Sequence, residues 1–109
     1  MVEGFWVVQF EGMQGGGGGV VFLAKGKVLG GDSGYVYMGT YEVTQETIKA
    51  RVSVTNFIPG VGNVLGVQGD FELALTGAVQ GDTIKGTASL VQPAGIGIAV
   101  KLTRKASLP

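Results

Sequence analysis

Apolar and polar residues alternate along the C-terminal third of the chain, in two runs. In each run every second residue is apolar or small: Ile84, Gly86, Ala88 and Leu90 in the first, and Ile96, Ile98, Val100 and Leu102 in the second. A period of two is the spacing at which side chains share one face of a β-strand. The two runs therefore predict two strands, each with one buried face and one face in water.

The same alternation, with turn residues between the runs, predicts eight strands in all. They cover residues 4–11, 19–25, 27–30, 35–43, 47–56, 71–79, 83–91 and 96–104, and residues 12–18 are predicted to be a flexible hairpin loop. No segment shows a sustained apolar period of 3.6, so no long helix is expected. Short strands joined by tight turns predict an all-β fold: an eight-stranded antiparallel up-and-down barrel, formed by residues 1–109 as a single domain.

A barrel of about eight strands is just wide enough to be filled by side chains or to hold one small ligand. The residues predicted to face inward and line a pocket are Trp6, Val8, Phe10, Val52, Val54, Phe71, Leu73, Ile98 and Val100. Small residues that share the inward face would leave a cavity: Ala50, Gly86 and Ala88, with Gly39 as a further candidate. The alternative is an interior packed by Trp6, Phe10, Phe71 and Leu73. The first strand is apolar on both faces, which fits an outer face covered by a second subunit.

Composition excludes several classes of function. Eight Lys and Arg balance eight Asp and Glu, so the basic excess expected of a protein that binds nucleic acid directly is missing. With no Cys and no His, thiol catalysis, disulfides, zinc fingers and histidine acid–base chemistry are ruled out. The carboxylates fall at turns or outward positions without a converging pair; Asp32 is expected to cap turn amides. We therefore expect no enzyme, no metal and no cofactor.

Two further segments bear on function. The glycines of residues 15–19 precede a predicted strand, whereas a phosphate-binding loop precedes a helix. The N-terminus lacks the basic and apolar regions of a signal peptide, and no apolar run approaches the roughly 20 residues of a membrane helix. The expectation is a cytoplasmic protein without a membrane span.

The connection over residues 57–69 is more apolar than loops usually are, because loops run over the protein surface. It contains six large apolar residues: Phe57, Ile58, Val61, Val64, Leu65 and Val67. These side chains either fold over the barrel mouth or contact another subunit, a protein partner or a ligand. The first five of them are predicted as the contact residues for a partner or a dimer.

Several short motifs resemble known families. Gly4 and Trp6 at the start of the first strand, with Arg104 at the end of the last, are similar to a lipocalin pattern in which a basic side chain lies over a tryptophan ring at one barrel end. A plain core tryptophan is the alternative. A longer series resembles the GrlR family, the negative regulators of type III secretion. It comprises Glu3-Gly4-Phe5-Trp6, Gly19-Val20-Val21, Gly26, Gly30-Gly31-Asp32, Tyr37-Met38-Gly39, Ile58-Pro59, Asn63-Val64-Leu65 and Asp70-Phe71-Glu72-Leu73.

The second resemblance implies an eight-stranded lipocalin- or calycin-like barrel with an apolar interior, often a homodimer. Such a barrel represses by binding a transcriptional activator, and an acidic stretch after the fourth strand takes part. The matching positions are residues 43–46, of which only Glu46 is acidic. The first expectation is therefore a regulatory protein that binds a protein partner, a transcriptional regulator, through Glu46 and the apolar loop. The alternative is a carrier or sensor for a small apolar, lipid-like ligand held in the barrel.

Overall fold

A computed structural model describes residues 2–12, 15–63, 65–67, 69–91 and 97–107. It forms a closed barrel of eight antiparallel strands in sequence order, which confirms the predicted fold class. The strands are β1 (Gly4–Gly12), β2 (Gly15–Ala24), β3 (Lys27–Gly31), β4 (Tyr35–Thr44), β5 (Thr47–Asn56), β6 (Phe71–Gln80), β7 (Thr83–Leu90) and β8 (Gly97–Ala106). The described part of the chain contains no helix that could cross a membrane.

The barrel closes because the first and last strands pair along most of their length, from Trp6 opposite Arg104 to Glu11 opposite Ala99. Closure gives every strand two hydrogen-bonded neighbours, although residues 15–19 of β2 have no partner on β3. It also needs close approaches between neighbouring strands. A Cβ on Gly39 would collide with the carbonyl oxygen of Arg51. Only glycine fits there, so its lack of a side chain brings two strands together instead of leaving interior space.

The glycine run was predicted as a loop, and this prediction is wrong. Residues 15–19 are the first half of β2 and pair in register with residues 8–12 of β1. The hydrogen bonds of a sheet are made by the backbone, so a strand without side chains still pairs with its neighbour. At Gly19 the missing side chain also provides room, since a Cβ there would lie 2.8 Å from the hydroxyl oxygen of Tyr37.

One end of the barrel is sealed by apolar side chains around the single tryptophan. Trp6 is fully buried, and its indole Nε1 donates a hydrogen bond of 2.8 Å to the carbonyl oxygen of Val2. The guanidinium carbon of Arg104 lies 4.9 Å from the centre of the Trp6 ring. Arg104 also donates to Asp82 Oδ1 (2.9 Å) and to the carbonyl oxygen of Glu3 (2.8 Å). The pairing of a tryptophan with a basic side chain is thus present at this end, which we call the closed end.

The strand order fixes what lies at the opposite end. The connections β1–β2, β3–β4, β5–β6 and β7–β8 all meet there, whereas the termini and the three remaining turns meet at the closed end. We call this opposite end the mouth. The predicted apolar loop belongs to it, because residues 57–70 join β5 to β6.

Candidate functional site

The barrel encloses a cavity of about 480 Å³ that runs from the floor at the closed end to the mouth. Its floor is formed by inward side chains of five strands, and its other end, at the mouth, is lined by loop and turn residues. Those floor residues are Leu23, Val28, Ile48, Ile84 and Leu102. The volume falls within the range of about 300–1,000 Å³ that is usual for small-molecule sites.

Eight of the nine residues predicted to line a pocket lie around this cavity: Val8, Phe10, Val52, Val54, Phe71, Leu73, Ile98 and Val100. The exception is Trp6, which is buried at the closed end and is absent from the cavity wall. Among the small inward residues, Ala50 and Ala88 line the cavity, whereas Gly39 and Gly86 do not. Both glycines lie against the backbone of a neighbouring strand instead.

A polar cluster centred on Asp32 lies at the mouth. Its Oδ1 accepts hydrogen bonds from the backbone N–H groups of Gly34 and Tyr35, both at 2.9 Å, which confirms the predicted turn cap. Its Oδ2 accepts a hydrogen bond from the hydroxyl of Tyr37. Burial raises the pKa of Tyr37 well above its ordinary value, and the hydrogen bond to Asp32 and its negative charge act in the same direction. Tyr37 is therefore held as a neutral donor.

The loop over the mouth, residues 57–70, which we call the mouth loop, is organised by one side chain that the sequence analysis named only as part of a motif. Asn63 Nδ2 donates to the hydroxyl oxygen of Tyr35 (3.1 Å) and to the carbonyl oxygen of Val67 (2.6 Å). Its Oδ1 accepts from the backbone N–H groups of Leu65 (3.0 Å) and Val67 (3.3 Å). Tyr35 in turn donates to the carbonyl oxygen of Val61 (2.8 Å). The signal in the sequence was an asparagine after glycine in a loop that faces an inward tyrosine.

The predicted contact residues of this loop have two different environments. Val61 and Leu65 pack against the core and line the cavity at the mouth. Phe57 and Ile58 are exposed, at 53% and 41%. Val64 lies outside the described residues. The loop therefore partly covers the mouth, and two large side chains remain at the surface.

Glu46, the other predicted contact residue, lies far from this loop. It belongs to the turn between β4 and β5 at the closed end, whereas Phe57 follows the last residue of β5. A strand rises about 3.3 Å per residue, so the ten residues of β5 place the two positions about 33 Å apart along the strand. The structure therefore does not bring the predicted contact residues together on one surface.

A different apolar surface crosses the outside of the barrel. Phe5, Phe22, Leu29 and Met38 stand opposite one another on β1 to β4, and we call these four residues the outer apolar row. The rings of Phe5 and Phe22 are 4.9 Å apart, and Phe22, Leu29 and Met38 are about half exposed. The sequence indicated this surface only through the two apolar faces of the first strand.

The described residues contain no group of three or more acidic side chains placed to hold a metal ion. The chain matches no protein-family model and no curated protein. The function is therefore argued from the geometry of the barrel.

Proposed function

We propose that this protein binds a small apolar molecule inside its barrel. The observation that supports this most directly is the cavity of about 480 Å³ with apolar walls and a few polar groups at one end. Ligand sites typically combine an apolar lining with a small number of placed polar groups that orient the ligand. The sequence analysis kept this function as its alternative, and the cavity now makes it the better supported one.

The energetics of filling an apolar cavity point in the same direction. The apolar side chains that line it can form dispersion contacts with an occupant. An apolar occupant makes those contacts and removes its own apolar surface from water. Binding should therefore stabilise the folded protein by an amount that grows with ligand concentration.

The direct test is a titration with N-phenyl-1-naphthylamine, an uncharged probe that fluoresces more strongly in apolar surroundings. We expect saturable binding of one probe per barrel, with a higher melting temperature in its presence. Native mass spectrometry of the protein purified from its own host would show whether a lipid-like molecule is retained. Absence of saturable probe binding would rule out the proposal.

A second function, binding of a protein partner, is favoured by the outer apolar row. Three neighbouring large apolar side chains about half exposed on one sheet face are typical of a surface that another protein covers. We propose that a second copy of the chain packs here. This surface is an alternative to the predicted dimer contact through the mouth loop. The regulatory role stays a prediction that the resemblance supports, and the cytoplasmic location stays a prediction from the sequence pattern.

Sedimentation velocity tests this second proposal. The double variant Phe22→Ser and Leu29→Ser should be monomeric at concentrations where the natural chain is a dimer. Val43→Ser is the matched control, because Val43 is 40% exposed at the end of β4 and lies outside the row. If the natural chain is a monomer at high micromolar concentration, the row does not form a dimer.

A further inference from the structure

The described connections at the mouth of the barrel carry no basic residue. They are residues 32–34, 57–63, 65–67, 69–70 and 91, and none of these is lysine or arginine. None of the eight basic residues lines the cavity: Lys25, Lys27, Lys49, Arg51, Lys85, Lys101, Arg104 and Lys105. Seven of them are exposed, and Arg104 lies over Trp6 at the closed end.

Negative charge is present at the same end. Asp32 lines the cavity, and Glu11 and Asp70 are exposed at the same end of the barrel, near the end of β1 and at the end of the mouth loop. Asp32 is the one charged side chain in the described lining of the cavity. A ligand that enters therefore meets a negative potential that no basic side chain of the mouth offsets.

The hydrogen-bonding groups of the mouth also favour one kind of ligand. The hydroxyls of Tyr35 and Tyr37 already donate to Val61 and Asp32. A carboxylate has about four acceptor positions, and three partners are bonded to Asp32: two backbone N–H groups and the Tyr37 hydroxyl. Asp32 therefore keeps spare acceptor capacity at the mouth, which suits a ligand that donates.

We propose that the cavity selects molecules with an apolar body and a neutral or cationic head that donates hydrogen bonds, such as an alcohol or an ammonium group, and discriminates against carboxylates. This inference rests on the proposed ligand-binding function. The apolar body of the ligand would lie in the barrel interior, and its head group would lie at Asp32. A carboxylate head there would be repelled by Asp32 and would find no cation to pair with, and burial of an unpaired charge is costly.

Three probes with the same ten-carbon body separate head chemistry from apolar burial: decanol, decanoate and decylamine, which is protonated at pH 7. Each would be used below its micelle concentration to displace N-phenyl-1-naphthylamine. We expect decanol and decylamine to compete at concentrations at least about tenfold lower than decanoate, which corresponds to about 1.4 kcal/mol. High salt should narrow the gap between decylamine and decanoate, because it screens charges near the surface.

The variant Asp32→Asn removes the charge and keeps an oxygen that can accept from the two turn amides. Its affinity for decanoate should rise, its affinity for decylamine should fall, and its affinity for uncharged decanol should change less than either. Glu42→Gln is the matched control, because Glu42 is exposed on the outside of β4 near the closed end. This control should leave the order of the three probes unchanged.

A second variant keeps the test valid if Asp32→Asn does not fold. Ser33 is exposed and lines the mouth, so Ser33→Lys adds a cation there and should strengthen decanoate binding. If the natural chain fails to bind the fluorescent probe, the proposed function itself is refuted. If the probe binds and decanoate competes as well as decylamine, only the inferred selectivity is overturned.

Discussion

A cavity-filling substitution tests whether the barrel interior is an open site. Ala88 on β7 is 2% exposed and lines the cavity. The variant Ala88→Phe adds one phenyl ring, and an apolar cavity of about 150 Å³ is enough to hold benzene. The ring would therefore occupy about a third of the 480 Å³ in the natural barrel.

Two opposite effects follow from this one change. Burial of a phenylalanine side chain is favourable by about 1.5–3 kcal/mol, so the free energy of unfolding should increase by up to that amount. Each kcal/mol shifts the melting temperature of a domain of about 60–100 residues by about 4–8 °C. The affinity for N-phenyl-1-naphthylamine should decrease at least about tenfold, because the ring takes space that the probe needs.

Thermal unfolding followed by circular dichroism, together with the probe titration, measures both effects. The control is Ala99→Phe, the same change at an exposed position on β8, and it should alter stability by no more than about 0.5 kcal/mol. A packed interior would behave differently, since overpacking costs about 1–3 kcal/mol. A lower melting temperature for Ala88→Phe with unchanged probe affinity would refute the argument for an open site.

Three other predictions concern the side chains that hold the barrel ends. Asn63→Ala should lower the free energy of unfolding by about 1–3 kcal/mol and speed amide hydrogen exchange in residues 65–67, because two backbone N–H groups lose their acceptor. Unchanged exchange would contradict this role of Asn63. Folding raises the pKa of Tyr37. The stability that its protonated hydroxyl contributes to the folded protein is therefore complete below the unfolded pKa near 10 and is lost as the pH rises above that value. The difference in urea midpoint between the natural chain and Tyr37→Phe should accordingly shrink from pH 8 to pH 11, and a constant difference would count against it. Arg104→Ala should lower the free energy of unfolding by about 1–3 kcal/mol and alter Trp6 fluorescence. The control Arg51→Ala removes an exposed ion pair and should lower it by less than about 1 kcal/mol. Equal losses would show that Arg104 acts only as a surface charge.

The amino-acid sequence by itself determined the eight strands except the first half of β2, together with their order and most of the cavity wall. A two-residue period is a local property, and it assigns alternate side chains to opposite faces without knowledge of the neighbours. Val52 and Val54 on β5, like Ile98 and Val100 on β8, were placed inward for that reason, and all four line the cavity. Short connections between consecutive strands then favoured antiparallel neighbours and a closed meander.

Only the tertiary structure decided what depends on residues far apart in the chain. The glycine run becomes a strand because β1 pairs with it, and Gly39 closes the wall because β5 lies against it. Glu46 is separated from the mouth loop because a whole strand stands between them. The charge of Asp32 bears on the cavity because the described connections that meet at its end contain no basic residue. Local patterning fixes which way a side chain points, whereas pairing between distant strands fixes what it meets there.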